Sequence, residues 1–260
     1  MLERPKRVAC MKIDEIVAAL NKKLKSEDFV DDTKNGVQIE GSRKNIKTVG
    51  LAVDCGLTVL EEAKKRKVDL LITHHGLIWG GLKEITGIYY SRLKTILEGG
   101  FTLYVSHLPL DGNQTLGNAV VLAKKLGLKN LSPFLFHQGQ PLGTKGLFKE
   151  PQKRESVEAR LREVTGNDYF LSLPFGKKLI SSVGIATGAA SFGVFDAKDL
   201  DLFITGEPKQ SVYHDAKDLK VNCMFGGHYR TETFGVLAVG EWLKTTFGLK
   251  TVFIDHPTGI

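Results

Sequence analysis

From Met11 onward, apolar side chains fall at Ile13, Ile16, Val17, Leu20 and Leu24, the spacing of one helical face, so the chain is predicted to open on an amphipathic helix. The period then changes. Thr48 to Val53, Asp69 to Thr73 and Phe101 to Ser106 are short β-branched or aromatic runs that predict strands, with helices between them at Leu57 to Arg66 and Tyr89 to Glu98. Past Asp111 a helix is expected over Leu116 to Leu126, stopped by Gly127. Ser132 to Gly146 is rich in Gly, Pro and Gln and has no period, which marks a loop or a lobe boundary. A second series follows: helices at Glu155 to Val164, Gln210 to Asp218 and Glu232 to Phe247, and strands at Ser182 to Ala186, Leu202 to Thr205, Val221 to Phe225 and Lys250 to Ile254.

Strand alternating with helix argues for an α/β fold with crossover connections. No repeat of 20 to 50 residues is evident, but the halves are alike in style. Two α/β lobes are expected, over 11–130 and 131–260, with the last strand and helix free to pack back on the first. Residues 1–10 are expected to be a disordered extension or the product of an upstream start codon, since they carry charges and no apolar segment of a secretory signal.

Composition narrows the class. Length 260 allows one large or two modest domains with ample core. No apolar run approaches the ~18 residues a helical bilayer span needs, which excludes a membrane-spanning helix. Lys+Arg 36 against Asp+Glu 29 leaves +7, but the basic residues are scattered, so an anionic partner is permitted rather than indicated. Aromatics interleaved with basic residues, as single-stranded nucleic acid requires, are not evident, and a nucleic-acid role ranks last. Three isolated cysteines (Cys10, Cys55, Cys223) give no disulfide framework and fit a reducing cytoplasm; Cys55 and Cys223 sit in apolar surroundings.

The chemistry gathers at strand ends, where ligands bind in open α/β sheets. One predicted strand runs into His74-His75-Gly76, another into His107 and then Asp111, and a third into Gly226-Gly227-His228-Tyr229-Arg230-Thr231-Glu232. Each cluster alone has a plain structural explanation: a strand-end histidine pair, a buried ring bonded to backbone, a carboxylate favoured by a helix dipole. Three clusters with complementary donors favour metal over that explanation. Imidazoles beside carboxylates suit zinc, iron or manganese rather than calcium or magnesium. Five ligands exceed what one catalytic zinc takes, which points to a carboxylate-bridged pair of ions.

Those three motifs, with Asn35-Gly36-Val37-Gln38-Ile39, Val53-Asp54 and Phe203-Ile204-Thr205-Gly206-Glu207, resemble the NIF-three-like family, often labelled GTP cyclohydrolase 1 type 2 homologue. The resemblance covers nearly the whole chain from Met11. It implies two α/β lobes with a dinuclear metal site in the crevice between them, and ring-shaped homohexamers. Carried over by position, the metal ligands are His74, His75, Asp111, His228 and Glu232, with His107 close to the metals.

Two divalent ions imply hydrolysis of a nucleotide-like, phosphoester or cyclic amide substrate, with His107 or Glu207 relaying a proton. The alternative is a non-enzymatic metal-binding regulatory or adaptor protein. Nothing in the sequence selects guanine or ribose. The Gly184-to-Ser191 turn does not fit the dinucleotide fingerprint; it is either a packing turn or, by the resemblance, a contact for substrate through Gly188 and Ser191. Glu207 is either a partner orienting a ligand histidine or a surface carboxylate, and Asp54 is equally open. His256 is expected in a plain turn, and His137 and His214 have no assigned role.

Overall fold

A computed structural model describes residues 10–81, 83–166 and 170–260; the expected extension at 1–10 lies, Cys10 excepted, outside the described residues. In chain order the elements are β1 (Met11–Lys12), α1 (Ile13–Leu24), β2 (Gly36–Ile39), β3 (Asn45–Ile46), β4 (Thr48–Ala52), α2 (Leu57–Lys65), β5 (Leu70–Thr73), α3 (Gly87–Gly99) and β6 (Thr102–Val105). There follow α4 (Leu108–Asp111), α5 (Asn118–Leu126), β7 (Lys129–His137), β8 (Gln140–Lys153), α6 (Arg154–Thr165), β9 (Leu171–Pro174) and β10 (Leu179–Ile185). The chain ends through β11 (Leu202–Thr205), α7 (Val212–Leu219), β12 (Asn222–Phe225), α8 (His228–Phe247) and β13 (Lys250–Phe253). The fold is mixed α/β.

The chain divides into two compact units, one of residues up to Pro109 with Val236–His256, the other of Leu110–Gly235 with Pro257–Ile260. The cut falls between Pro109 and Leu110, where the sequence suggested 130 and 131. The reason is α5: Ala119, Leu122 and Leu126 share a buried cluster with Val157, Ile180 and Ile204, so this helix belongs to the second unit's core.

The first unit holds a five-stranded sheet in the order β13-β4-β5-β6-β2, parallel except for β2 at its edge. Leu70 to Thr73 are all buried, the continuous burial of a parallel strand covered on both faces. The second unit holds a six-stranded sheet in the order β7-β8-β10-β11-β12-β9, with β10, β11 and β12 parallel. In β11, Leu202 and Ile204 enter one core cluster and Phe203 the other, as alternation along a strand demands.

Three departures from the sequence reading have clear causes. Ser132 to Gly146 is no loop but most of the β7–β8 hairpin, turned by Gln138 (φ 48°) and Gly139 (φ 81°) between paired His137 and Gln140. Two successive positive φ values make the tight turn that suits strand twist. Prolines 133 and 141 and a largely exposed face hide the alternation. Edge strands β2 and β9 were not predicted at all; each is four residues long. Finally, α8 begins at His228 rather than Glu232.

One device occurs twice. Asp69 of Asp69-Leu70-Leu71-Ile72-Thr73 accepts the amides of Lys47 and Thr48 at 2.9 Å, tying the start of β5 to β4. Asp201 of Asp201-Leu202-Phe203-Ile204-Thr205 accepts those of Ser181 (2.9 Å) and Ser182 (3.1 Å), tying β11 to β10. At the other strand end, His74 and His75 both donate their amides to Val53 O, while Gly206 and Glu207 both donate to Gly188 O. Each unit therefore presents a sharply bent strand end, and these ends carry the polar residues.

Candidate metal centre

In the first unit the bend after Thr73 places two adjacent imidazoles together. An extended strand would send His74 and His75 to opposite faces. Because both amides bond the same Val53 carbonyl, and the Thr73 hydroxyl donates to His75 O at 2.9 Å, the chain has already turned. The rings lie 4.8 Å apart between centroids. His107, following β6, has its ring 5.1 Å from His74 and 5.7 Å from His75. One nitrogen of each of the three lies within 4.8 Å of the others.

Each imidazole is held by its Nδ1. His74 Nδ1 donates to Ser106 O at 2.9 Å, and His75 Nδ1 to Asp54 at 2.8 Å. His107 Nδ1 donates to both oxygens of Asp31, at 3.0 and 3.1 Å. A carbonyl or carboxylate bonded at Nδ1 makes Nε2 the lone-pair nitrogen and fixes the ring plane, the outer support that metal-binding histidines have. Asp54 therefore supports His75.

Asp31 was not singled out in the sequence. Its carboxylate also accepts from Asn35 Nδ2 (2.9 Å) and from the amides of Leu108 (3.1 Å) and Thr33 (3.2 Å), and Asn35 Oδ1 accepts the His107 amide. Burial pushes the Asp31 pKa up, but the hydrogen bond and charge of His107, with Asn35 and Leu108, outweigh it and hold the carboxyl at about 2. A depressed pKa gives stability that is complete above the ordinary 3.8 and lost as pH falls through about 2. Asp31→Asn is thus expected to lower stability at pH 6 by about 1–3 kcal/mol, with the difference shrinking toward pH 2. Urea unfolding at both pH values measures it; an equal gap at both would contradict the assignment.

In the second unit, His228 and Glu232 stand one turn apart at the start of α8, on one face. His228 Nε2 lies 3.1 Å from Glu232 and its Nδ1 3.2 Å from Glu207. Burial pulls the His228 pKa down, but the two carboxylates reverse this and raise it to about 9. The arrangement favours positive charge at this place. Asp111 is buried, its Oδ1 accepting from Asn118 Nδ2 at 2.9 Å and Thr187 Oγ1 at 3.1 Å, while Asn118 Oδ1 takes the Gly235 amide.

The glycine-rich turn is fitted against this cluster. Gly188 has φ 65°, and a Cβ there would collide with Glu232 Oε1 and lie 3.1 Å from His228 Nε2. Ser191 is buried, donating its hydroxyl to Glu207 O and accepting the Lys209 amide at 3.2 Å. Its hydroxyl therefore holds the corner that carries Glu207. The buried thiols of Cys55 and Cys223 are pushed up to about 12, the state of inert core residues.

The donor chemistry fits divalent transition-metal ions: three imidazoles with outer support in one unit, and an imidazole with two buried carboxylates, Asp111 and Glu232, in the other. No helix among the described residues is long and apolar enough to cross a membrane.

Known proteins resemble this chain over nearly its whole length. Two proteins named "GTP cyclohydrolase 1 type 2 homolog" align along almost their full lengths. That of Pyrococcus horikoshii is 40% identical over 95% of this chain and 99% of its own, and that of Pyrococcus abyssi 39% identical over 96% and 100%. The crystal structure of TTHA1606 from Thermus thermophilus superposes with a TM-score of 0.89 at 39% identity, covering 96% of this chain and 100% of that one. The family model Duf34/NIF3 (NGG1p interacting factor 3) matches residues 11–259, and the chain belongs to that family.

Proposed function

We propose that this chain is a metal-dependent hydrolase in which His74, His75, Asp111, His228 and Glu232 together hold two divalent ions, zinc, iron or manganese. The observation that carries the reading is the group of three imidazoles, each with Nδ1 committed to a carbonyl or carboxylate. Of these rings His74 and His75 are the ligands in this reading, with Asp111, His228 and Glu232 supplying the rest, while His107 stands beside the first two as a proton carrier.

Bound divalent ions would polarise a carbonyl or phosphoryl oxygen and bring the pKa of a coordinated water toward about 7. His107 then acts as proton carrier at Nε2. Asp31, fixed at Nδ1, keeps that tautomer and stabilises the ring once it is protonated. Glu207 is the second carrier, beside His228. Gly188 leaves the space that Glu232 occupies and is the backbone contact we assign to substrate; Ser191 serves by positioning Glu207. The substrate is a small nucleotide-like, phosphoester or cyclic amide molecule, and the relatives' names place GTP among those to test. We place the protein in the cytoplasm as a homohexamer; Phe192 and Phe195, both exposed, are the kind of surface an oligomer covers.

Metal-free protein reconstituted with each ion is expected to take up two per chain and to hydrolyse at least one member of a panel containing GTP, aryl phosphates and cyclic amides, at a rate that a chelator abolishes. Two ions with no turnover would favour the non-enzymatic metal-binding reading. No stoichiometric uptake would sink both.

A further inference from the structure

We infer that a cavity beside Trp79 is a specificity subsite that takes a flat hydrocarbon ring of the substrate, with an anionic substituent of that ring set against Lys83. The inference rests on the hydrolytic reading for calling the occupant a substrate; the subsite itself stands on the following geometry.

The cavity, of about 80 Å³, lies within the first unit, walled by Ile39 at the end of β2, Leu77 and Trp79 after the histidine pair, and Tyr89 and Leu93 on α3. These walls are hydrocarbon or aromatic. A nucleobase seated there would bring ring nitrogens and carbonyls away from water with few partners, at a cost in free energy, whereas an apolar cavity stays dry and gains by accepting an apolar guest. The one ammonium on the lining is Lys83, exposed at the rim with Nζ 5.2 Å from the Tyr89 ring centroid. Ile85, also at the rim, is 58% exposed, an apolar side chain that a seated ring would cover.

The wall is prebuilt and shared with the histidines. Gln38 Oε1 accepts the amides of Leu77 (2.8 Å) and Ile78 (2.9 Å), Thr33 Oγ1 donates to Ile78 O, and Trp79 Nε1 donates to Gly76 O at 2.8 Å. A Cβ on Gly76 would collide with Gln38 Nε2, so the strap closes tightly on Gln38. The Trp79 ring meets His107 edge-on at 5.0 Å between centroids and lies 6.2 Å from His75. One indole thus borders both the cavity and the imidazoles. A ring held against Trp79 leaves the remainder of the same molecule to extend toward the histidines, and rigid walls make the preference steric as well as apolar.

Trp79 is also the reporter. The chain has two tryptophans, so Trp242→Phe leaves Trp79 as the sole indole emitter. In metal-free Trp242→Phe protein, phenyl phosphate is expected to change the emission saturably, toluene to do so more weakly, and inorganic phosphate not at all. In that background Lys83→Glu should weaken phenyl phosphate at least tenfold and leave toluene unchanged, and Ile85→Asp should weaken both at least tenfold; both positions are exposed, so folding is not at risk. Both variants should take up metal like their parent. No saturable response to phenyl phosphate, or one that neither variant alters, would overturn the subsite. Metal uptake without ring binding would defeat the subsite alone, and ring binding without metal uptake would defeat the hydrolytic reading alone.

Discussion

His75→Ala and Glu232→Ala are each expected to strip the protein of both metal ions and of any hydrolytic rate. In the proposed reading each supplies one ligand. His75 supplies a ring nitrogen, its Nδ1 being tied to Asp54, and Glu232 an oxygen on a carboxylate that is 3% exposed, beside His228. In a bridged pair of ions, loss of one ligand weakens both. Affinity should fall by more than the ~10–100-fold typical of removing an outer partner, and that smaller loss is expected for Asp54→Ala. Elemental analysis of the folded variants, checked by circular dichroism, measures the outcome. A variant that keeps one full equivalent of metal would show that the two donor sets bind separate ions. A rate that survives loss of metal would end the hydrolytic reading in its present form.

Much of this arrangement is legible in the chain. Leu70 to Thr73 and Leu202 to Thr205 are uninterrupted apolar runs because the parallel strands are buried on both faces, and the polar residues begin where those runs stop. That is why the strand-end clusters could be named from sequence. What stayed hidden depends on residues far apart in sequence. Asp31 is an ordinary aspartate in Val30-Asp31-Asp32 until the fold brings it against His107, 76 residues away. The one local hint was Asn35, which shares its work. The β7–β8 hairpin escaped because its strands show too little burial for a two-residue period to emerge.

The paired Asp69 and Asp201 devices escaped for another reason. A spacing of well over a hundred residues is invisible to a search for short repeats, although Asp-Leu-Leu-Ile-Thr and Asp-Leu-Phe-Ile-Thr stand plainly in the sequence. Placing the two devices side by side shows a difference that bears on chemistry. Beyond β4 the chain carries Asp54, one residue past the carbonyl that both histidine amides share, and its side chain supports His75. Beyond β10 the residue whose carbonyl receives the Gly206 and Glu207 amides is Gly188 itself. The first unit fills this region with a supporting carboxylate. The second leaves it bare, and Glu232 and His228 stand in the space.

Gly188→Ala is therefore expected to damage both the stability and the metal affinity of the second unit. Two effects act together. At φ 65° an alanine sits in the left-handed region, costing about 1–3 kcal/mol. The methyl group also meets the Glu232 carboxylate, which can escape only by turning away from His228. Relief by a shift of the turn is restricted, because Gly188 O accepts the amides of both Gly206 and Glu207 and its own amide donates to Thr231 Oγ1 at 3.2 Å. The thermal midpoint should fall by several degrees, and metal affinity by at least the ~10–100-fold that misorienting a ligand brings. Gly56→Ala is the control: its φ is −64° and no atom lies within 4 Å of the added Cβ, so metal uptake should not change and stability should fall only by the cost of alanine at a helix N-cap, about 1 kcal/mol. If Gly188→Ala lowered stability and left metal uptake at the parent's level, the glycine would be needed for the turn alone, and Glu232 would lose its place among the ligands.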